Sequence, residues 1–157
     1  FINDVLKYSP KIFHYWFEKT FINCVEWYES RILYTKSCAL WSILGFIVGL
    51  GDRHLENILI NVKTGETVHV DFDCLFDKAK SFKFPEHVPF RLTQNIIDGF
   101  GINGIEGTFT ITCLNTMNIL KKHKQLIINT LQSFVNDPLL ELISNDVNNN
   151  SNNYNTC

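Results

Sequence analysis

The chain has 157 residues, enough for one compact domain with a real core and too few for two comfortable ones. With 45% apolar, 13% aromatic and 19% charged residues, its composition excludes a disordered or fibrous protein. Fourteen Lys and Arg against 16 Asp and Glu give a formal charge of -2, so no field favours direct binding of nucleic acid or an anionic membrane, and any anion must be bound locally.

The first residues, Phe1-Ile2-Asn3-Asp4, lack a start Met and a basic region followed by an apolar stretch, so they do not read as a signal peptide and the chain reads as an excised piece. A helix is predicted over 11–22, because Phe13, Trp16, Phe17 and Phe21 fall on one stripe and Pro10 suits a first turn. A second helix is predicted over 25–50, with Trp41, Leu44 and Val48 on one face and Ile43, Ile47 and Leu50 on another, the pattern of a helix buried on several sides. Its charge-free run, 37–51, has 15 residues and falls short of the roughly 20 that cross a bilayer. Gly49-Leu50-Gly51-Asp52 ends the helix in a turn. A polar loop over 52–57 leads into two β-type segments, 58–62 and 67–70, joined as a hairpin by Lys63-Thr64-Gly65-Glu66.

Residues 71–92 have no period and contain Pro85 and Pro89, which predicts a long loop of the kind that carries function. Helix resumes over 93–100, breaks at the glycines of 99–107, and returns over 108–134 with an interruption near 121–124. The segment 146–157, with six Asn between Asn148 and Asn155, reads as a disordered tail. The fold class is thus mainly α with one small hairpin (α+β). Cys24, Cys38, Cys74, Cys113 and Cys157 form no metal spacing and are odd in number, which reads as reduced thiols in a reducing compartment.

Unusual chemistry is concentrated between the second helix and the hairpin. A hairpin brings its ends together, so Asn57 at its start and Asp71 at its finish should be neighbours. An amide oxygen beside a carboxylate suits Mg²⁺, which takes few protein oxygens and keeps water and phosphate ligands. Asp52, five residues before Asn57, would stand where a nucleophilic hydroxyl approaches that phosphate. The protein-kinase catalytic loop and its DFG Asp follow the same logic, but here the order is D-R-H and the later motif is D-F-D. His54 follows the Asp and is placed to shuttle a proton or meet developing charge. Singly, Asp52 would be a turn residue, Arg53 a surface or ion-pair residue, His54 a structural histidine and Asp71 an Asx turn. Their combination at these spacings is what one reaction requires.

The stretch GLGDRHLENIL (49–59), followed by HVDFD (69–73), resembles the catalytic and metal-binding loops of the phosphatidylinositol 3-kinase-related superfamily. PEHVPFRLT (85–93) and DGFGINGIEG (98–107) are similar to its protein-kinase branch, and DFDCLF (71–76), FHYWF (13–17) and WYESR (27–31) are most similar to the ATR-type checkpoint kinases. The resemblance runs from about residue 10 to 140. It implies the large, C-terminal lobe of a kinase over 1–145, with the small lobe absent, a catalytic loop at 49–57, metal-binding residues at 71–73 and an activation segment at 71–93. By that resemblance Asp52 orients or deprotonates a Ser or Thr hydroxyl, His54 assists at the γ-phosphoryl group, and Arg53 belongs to the same catalytic loop. Asn57 and Asp71 hold Mg²⁺ and ATP, with Mn²⁺ as a substitute. Leu59 and Val70 match the floor of the adenine pocket, although any core hairpin supplies apolar residues there. Pro89, Phe90 and Arg91 belong to the segment that positions Ser/Thr-Gln substrates. Asp73 replaces the final Gly of DFG, which removes a glycine-dependent flip.

The implied partners are protein substrates, the small lobe and C-terminal segment of the same chain, and regulatory adaptors; the implied location is the nucleus. No glycine-rich flap or paired Lys precedes Pro10, so this lobe alone is expected to transfer little or no phosphate. A phosphoinositide kinase, which could use Lys78, Lys80 and Lys83 against a headgroup, is the alternative enzyme, and a non-catalytic interaction module or pseudokinase is the alternative class. The match of 99–104 to G-x-G-x-x-G follows a helix and not a strand, so it reads as a helix-breaking turn.

Overall fold

The computed structural model describes residues 10–76, 78–81, 83, 86, 88 and 90–135; Pro89, Cys157 and the 146–157 tail lie outside them. The chain divides into two units, 1–117 and 118–157. In the first, rings at i, i+3, i+4 and i+8 place one apolar stripe against the core, and helix α1 runs Phe13–Thr20. Phe17 is fully buried, with Trp16, Tyr34 and Phe13 at ring-centroid distances of 4.8, 5.2 and 5.4 Å. Burial of a ring of this size contributes about 1.5–3 kcal/mol. The helix is shorter than the predicted 11–22 and does not begin at Pro10. Its first turn is held from outside, where Asn95 accepts from the Ile12 amide at 3.0 Å and donates to the Pro10 carbonyl at 3.1 Å.

Helix α2, Cys24–Val48, is the scaffold of this unit. Asn23 caps its start by accepting from the Val25 amide, and Gly49 ends it in the left-handed conformation, φ 62°. Tyr34 and Ala39 enter the core with Phe17, Phe21, Phe100 and Phe109. An 18-residue window of α2 has mean hydropathy 1.3, so the whole helix, unlike its charge-free run, is long and apolar enough by composition to cross a membrane. Here that apolarity serves packing, on one side. Leu33, Leu40 and Ile47, at seven-residue intervals, form an exposed stripe, which corrects the expectation of burial on several faces: the described elements of this unit cover only the side bearing Ser30, Tyr34 and Ala39.

The predicted hairpin is present but shorter. Strands β1, Ile58–Ile60, and β2, Thr67–His69, pair antiparallel with Ile58 opposite His69 and Leu59 opposite Val68. Helix α2 grips them: Trp41 Nε1 donates to the Thr67 carbonyl at 3.1 Å and Ser37 Oγ accepts from the Thr67 amide at 2.9 Å. The loop that follows includes a 3-10 turn, Lys78–Ser81. Helix α3, Gln94–Asp98, begins at Thr93, whose hydroxyl accepts from the Ile96 amide. Helix α4 is Thr108–Lys122 and α5 is Lys124–Val135, with the expected break at His123. In the second unit the α5 backbone is supplemented by Gln125 donating to Asn129 and Thr130 to the Leu126 carbonyl. All four described cysteines are free thiols.

Helices α1 and α3 are tied by one carboxylate. Asp98 Oδ2 accepts from the His14 amide at 2.9 Å and pairs with His14 Nδ1 at 2.7 Å. Burial pushes the Asp98 carboxyl up, but the backbone and ring bonds of His14, its charge and the Phe13 amide outweigh it, so the pKa lies below its ordinary 3.8. A depressed carboxylate stabilises the fold above its unfolded pKa and loses that contribution as pH falls through the folded value. Asp98→Asn is therefore expected to unfold more easily than the parent at neutral pH, and the gap should close as pH falls below about 4; thermal unfolding across pH 2–7 checks this.

Candidate active site

The loop after Gly49 is shaped by close approach. Gly51 donates its amide to the Cys74 carbonyl at 2.8 Å, and a Cβ at Gly51 would lie 2.3 Å from the Ala79 Cβ, so only glycine fits. The Phe76 amide donates to the Val48 carbonyl at 2.9 Å, and Glu86 Oε2 accepts from the Asp52 amide at 3.0 Å. The end of α2 and the start of the long loop are thereby laced together. Glu86, 34 residues from Asp52, carries no sequence signal that would have paired them.

Arg53 lies at the centre. Its side chain is buried, and the guanidinium donates to the carbonyls of Gly51 at 2.9 Å, Val70 at 2.7 Å and Asp71. A planar fork with five N–H donors can reach three acceptors at once, which a Lys ammonium on a flexible stem does not reproduce. The reading of Arg53 as a surface or ion-pair residue is corrected: all three of these partners are backbone.

The hairpin brings its ends together. The Val70 amide donates to the Asn57 carbonyl at 3.1 Å, one step beyond the β1–β2 register, so Val70 stands opposite Asn57 and Asp71 follows it in the chain. Asn57 is buried and its Nδ2 donates to the Asp52 carbonyl at 2.8 Å, leaving Oδ1 as the amide atom able to meet a cation. Asp71 is exposed, and its Oδ1 accepts from the Asp73 amide at 3.2 Å. Asp52 and Asp71 both have left-handed backbone, φ 56° and 60°. Such conformations cost about 1–3 kcal/mol and gather at functional sites, and Asp tolerates them better than most residues. Among the described residues no group of three His, Cys, Asp or Glu is arranged to hold a metal. One amide oxygen and one carboxylate nevertheless fit a cation that takes most of its shell from water and phosphate.

His54 is exposed at the start of a 3-10 turn, Leu55–Asn57, and its Nδ1 accepts from the Glu56 amide at 3.3 Å. In the neutral ring the proton is then on Nε2. On the hairpin, Ile58, Ile60, Thr67 and His69 face inward and Leu59 and Val68 outward, and Val70 continues the outward alternation. Leu59 and Val68 are about half exposed. His69 stacks flat on Trp41, centroids 4.6 Å apart, and burial followed by the charge of Arg53 pushes its pKa down to about 4. Phe90 and Arg91, with Leu50, Glu86 and Val88, line a groove beside Arg53. Lys78 Nζ donates to the Asp73 carbonyl at 3.3 Å. In the G-x-G-x-x-G run, Gly101 packs against the Arg31 guanidinium, which donates to the Phe100 carbonyl.

Two substitutions test this lacing. Gly51→Ala should lose about 1–3 kcal/mol of stability through overpacking against Ala79. Arg53→Lys should lose about 2–3 kcal/mol, because buried carbonyls are left unpaired. Denaturant unfolding measures both.

The comparisons accord with this geometry. The family model described as phosphatidylinositol 3- and 4-kinase matches residues 3–144. The chain is 50% identical over 137 residues to the serine/threonine-protein kinase ATR of Arabidopsis thaliana, covering 87% of this chain and 5% of that protein. It is 44% identical over 137 residues to the serine/threonine-protein kinase MEC1 of Candida albicans, covering 87% and 6%, and 45% identical over 141 residues to the protein kinase rad3 of Schizosaccharomyces pombe, covering 90% and 6%. Among solved structures it is similar to the FAT and kinase domain of CtTel1, with a TM-score of 0.80 and 41% identity, covering 82% of this chain and 9% of that one. The chain thus spans about a twentieth of the curated relatives it matches. On the match over 3–144 the chain belongs to the phosphatidylinositol 3- and 4-kinase family, and within it is similar to the ATR, MEC1 and rad3 protein kinases.

Proposed function

We propose that this chain is the large-lobe portion of an ATP-dependent serine/threonine protein kinase of the ATR-like branch, with its catalytic loop at 49–57, its metal-binding residues at 71–73 and its activation segment at 71–93. The observation that carries the reading is the joining of Asp52, Asn57 and Asp71 into one cluster by the Asn57–Asp52 bond, the closing hairpin bond and the Arg53 fork. Asp52 orients the Ser or Thr hydroxyl and takes its proton as the hydroxyl oxygen bonds to the γ-phosphorus and the bond to the bridging oxygen of ADP breaks. His54, with its proton on Nε2, offers a donor to the transferring phosphoryl oxygens. Asn57 Oδ1 and the Asp71 carboxylate would hold Mg²⁺, or Mn²⁺ in its place, which when bound neutralises charge on the ATP phosphates. Arg53 is a positioning residue, acting through the backbone of Gly51, Val70 and Asp71.

The half-exposed outward pair Leu59 and Val68, continued by Val70, is an apolar platform suited to the face of an adenine ring, which a small lobe of the same protein would close from above. The groove at Phe90 and Arg91 borders the loop and suits an extended peptide bearing a Ser/Thr-Gln site. The likeness to ATR and MEC1 supports a nuclear location, checkpoint signalling and regulatory adaptors as parts of this proposal.

The test uses the intact protein with Mg²⁺-ATP and a Ser-Gln peptide. Asp52→Asn and Asp71→Asn keep a residue that accepts left-handed backbone, so each should fold while turnover falls about 10²-fold or more. Unchanged turnover in either variant removes that residue's role. Phosphorylation of phosphatidylinositol vesicles with none of the peptide would establish the lipid-kinase reading, and transfer to neither would establish a non-catalytic module.

A further inference from the structure

We propose that Glu86, on the long loop after the hairpin, is a positioning residue for the reaction read at this site: it fixes the peptide unit between Gly51 and Asp52 and thereby sets the direction of the Asp52 carboxylate. That role rests on the kinase reading of Asp52. It adds to the catalytic loop a side chain from 34 residues further along the chain.

Asp52 has left-handed backbone, φ 56°, a conformation that persists in a non-glycine residue only where the surroundings hold it. Two peptide units meet at its Cα, and each is held. The unit after it is fixed by Asn57 Nδ2, which donates to the Asp52 carbonyl at 2.8 Å. The unit before it is fixed at both ends: Arg53 Nε donates to the Gly51 carbonyl at 2.9 Å, and the Asp52 amide donates to Glu86 Oε2 at 3.0 Å. Rotation of that unit would carry φ of Asp52 toward the ordinary negative range, and it must break both bonds. Arg53 and Asn57 come from the loop itself, so Glu86 is the side chain that fastens this unit to a different part of the fold.

A carboxylate suits the task, because an ionised acceptor bonds a backbone N–H more strongly than a neutral oxygen does. Its own place is set by the turn that closes on Gly51. The Glu86 amide donates to the Ala79 carbonyl at 3.4 Å, and the Ala79 Cβ is the atom that leaves no room for a side chain at Gly51. A Cβ at Gly51 would also lie 3.0 Å from Glu86 Oε2, so the missing side chain at 51 admits both the 3-10 turn and the carboxylate. Glu86 also lines the groove with Phe90 and Arg91. The segment proposed to receive the peptide therefore also supplies the bond that orients Asp52.

The experiment uses the intact protein with Mg²⁺-ATP and a Ser-Gln peptide, and compares Glu86→Ala, which removes the acceptor, with Glu86→Gln, which keeps an oxygen in its place. Glu86 is exposed, so neither change opens the core. Glu86→Ala should lower kcat about tenfold while KM for ATP moves less than about twofold, because Asn57 and Asp71 stay tied by the Val70 amide and the Arg53 fork. Glu86→Gln should bring kcat back to within about threefold of the parent. In an Asp52→Asn background Glu86→Ala should cost less than about twofold, since a residue that acts through the Asp52 carboxylate has nothing left to orient. Hydrogen exchange of the segment containing Asp52 should quicken several-fold in Glu86→Ala and not in Glu86→Gln. Parent-like kcat in Glu86→Ala, no rescue by Glu86→Gln, or an equal loss in both backgrounds overturns the role of Glu86 and leaves that of Asp52 standing. Unchanged exchange in Glu86→Ala overturns the restraint on the peptide unit. Full turnover in Asp52→Asn overturns the kinase reading of Asp52 and the positioning role with it, while exchange still decides the bond.

Discussion

The buried Arg53 guanidinium is the constraint on which the remaining geometry depends. A charge taken out of water is costly unless it is hydrogen-bonded, and here three backbone carbonyls take three of its five N–H groups. Those carbonyls belong to two separate stretches, the loop after α2 and the exit of β2. One side chain therefore converts two loops into a single rigid feature. Because its acceptors are backbone atoms, the fork sets where Asp52 and Asp71 leave the chain and leaves their carboxylates available for chemistry.

Helix α2 supplies the frame for that clamp. Its C-terminal turn delivers Gly49 and Gly51, its Trp41 and Ser37 hold β2, and its Ser30 backbone lies so near Gly65 that a Cβ there would come within 2.7 Å of a carbonyl oxygen. The hairpin is too short to be stable by itself. It persists because its inner face packs on a helix that is itself anchored by Tyr34 and Phe17 in the aromatic core. Left-handed Asp52 and Asp71 are tolerated for the same reason: the surrounding bonds hold them there.

This arrangement also accounts for a near-neutral chain in a family named for phosphate transfer. On the proposed function, a handful of oriented oxygens and a cation would manage phosphate charge locally, without a basic surface. The outward apolar pair on the hairpin and the exposed stripe on α2 are consistent with a chain that spans a small part of its relatives' length.

Much of this was legible in the order of residues. Helical periodicity placed α1, α2 and the break between α4 and α5, because a 3.6-residue stripe is a local property of the chain. The hairpin followed from two β-branched runs around Lys63-Thr64-Gly65-Glu66, and its closure joins Asn57 to Val70, the residue before Asp71. Tertiary structure alone decided the rest. That Arg53 turns inward to three carbonyls, that Glu86 holds Asp52 from 34 residues away, that α2 leaves one side open, and that His69 stacks on Trp41 all depend on contacts between distant segments. Spacing along a chain encodes which residues share a helix or strand face; it holds no record of which remote backbone atom a side chain will meet when those faces pack.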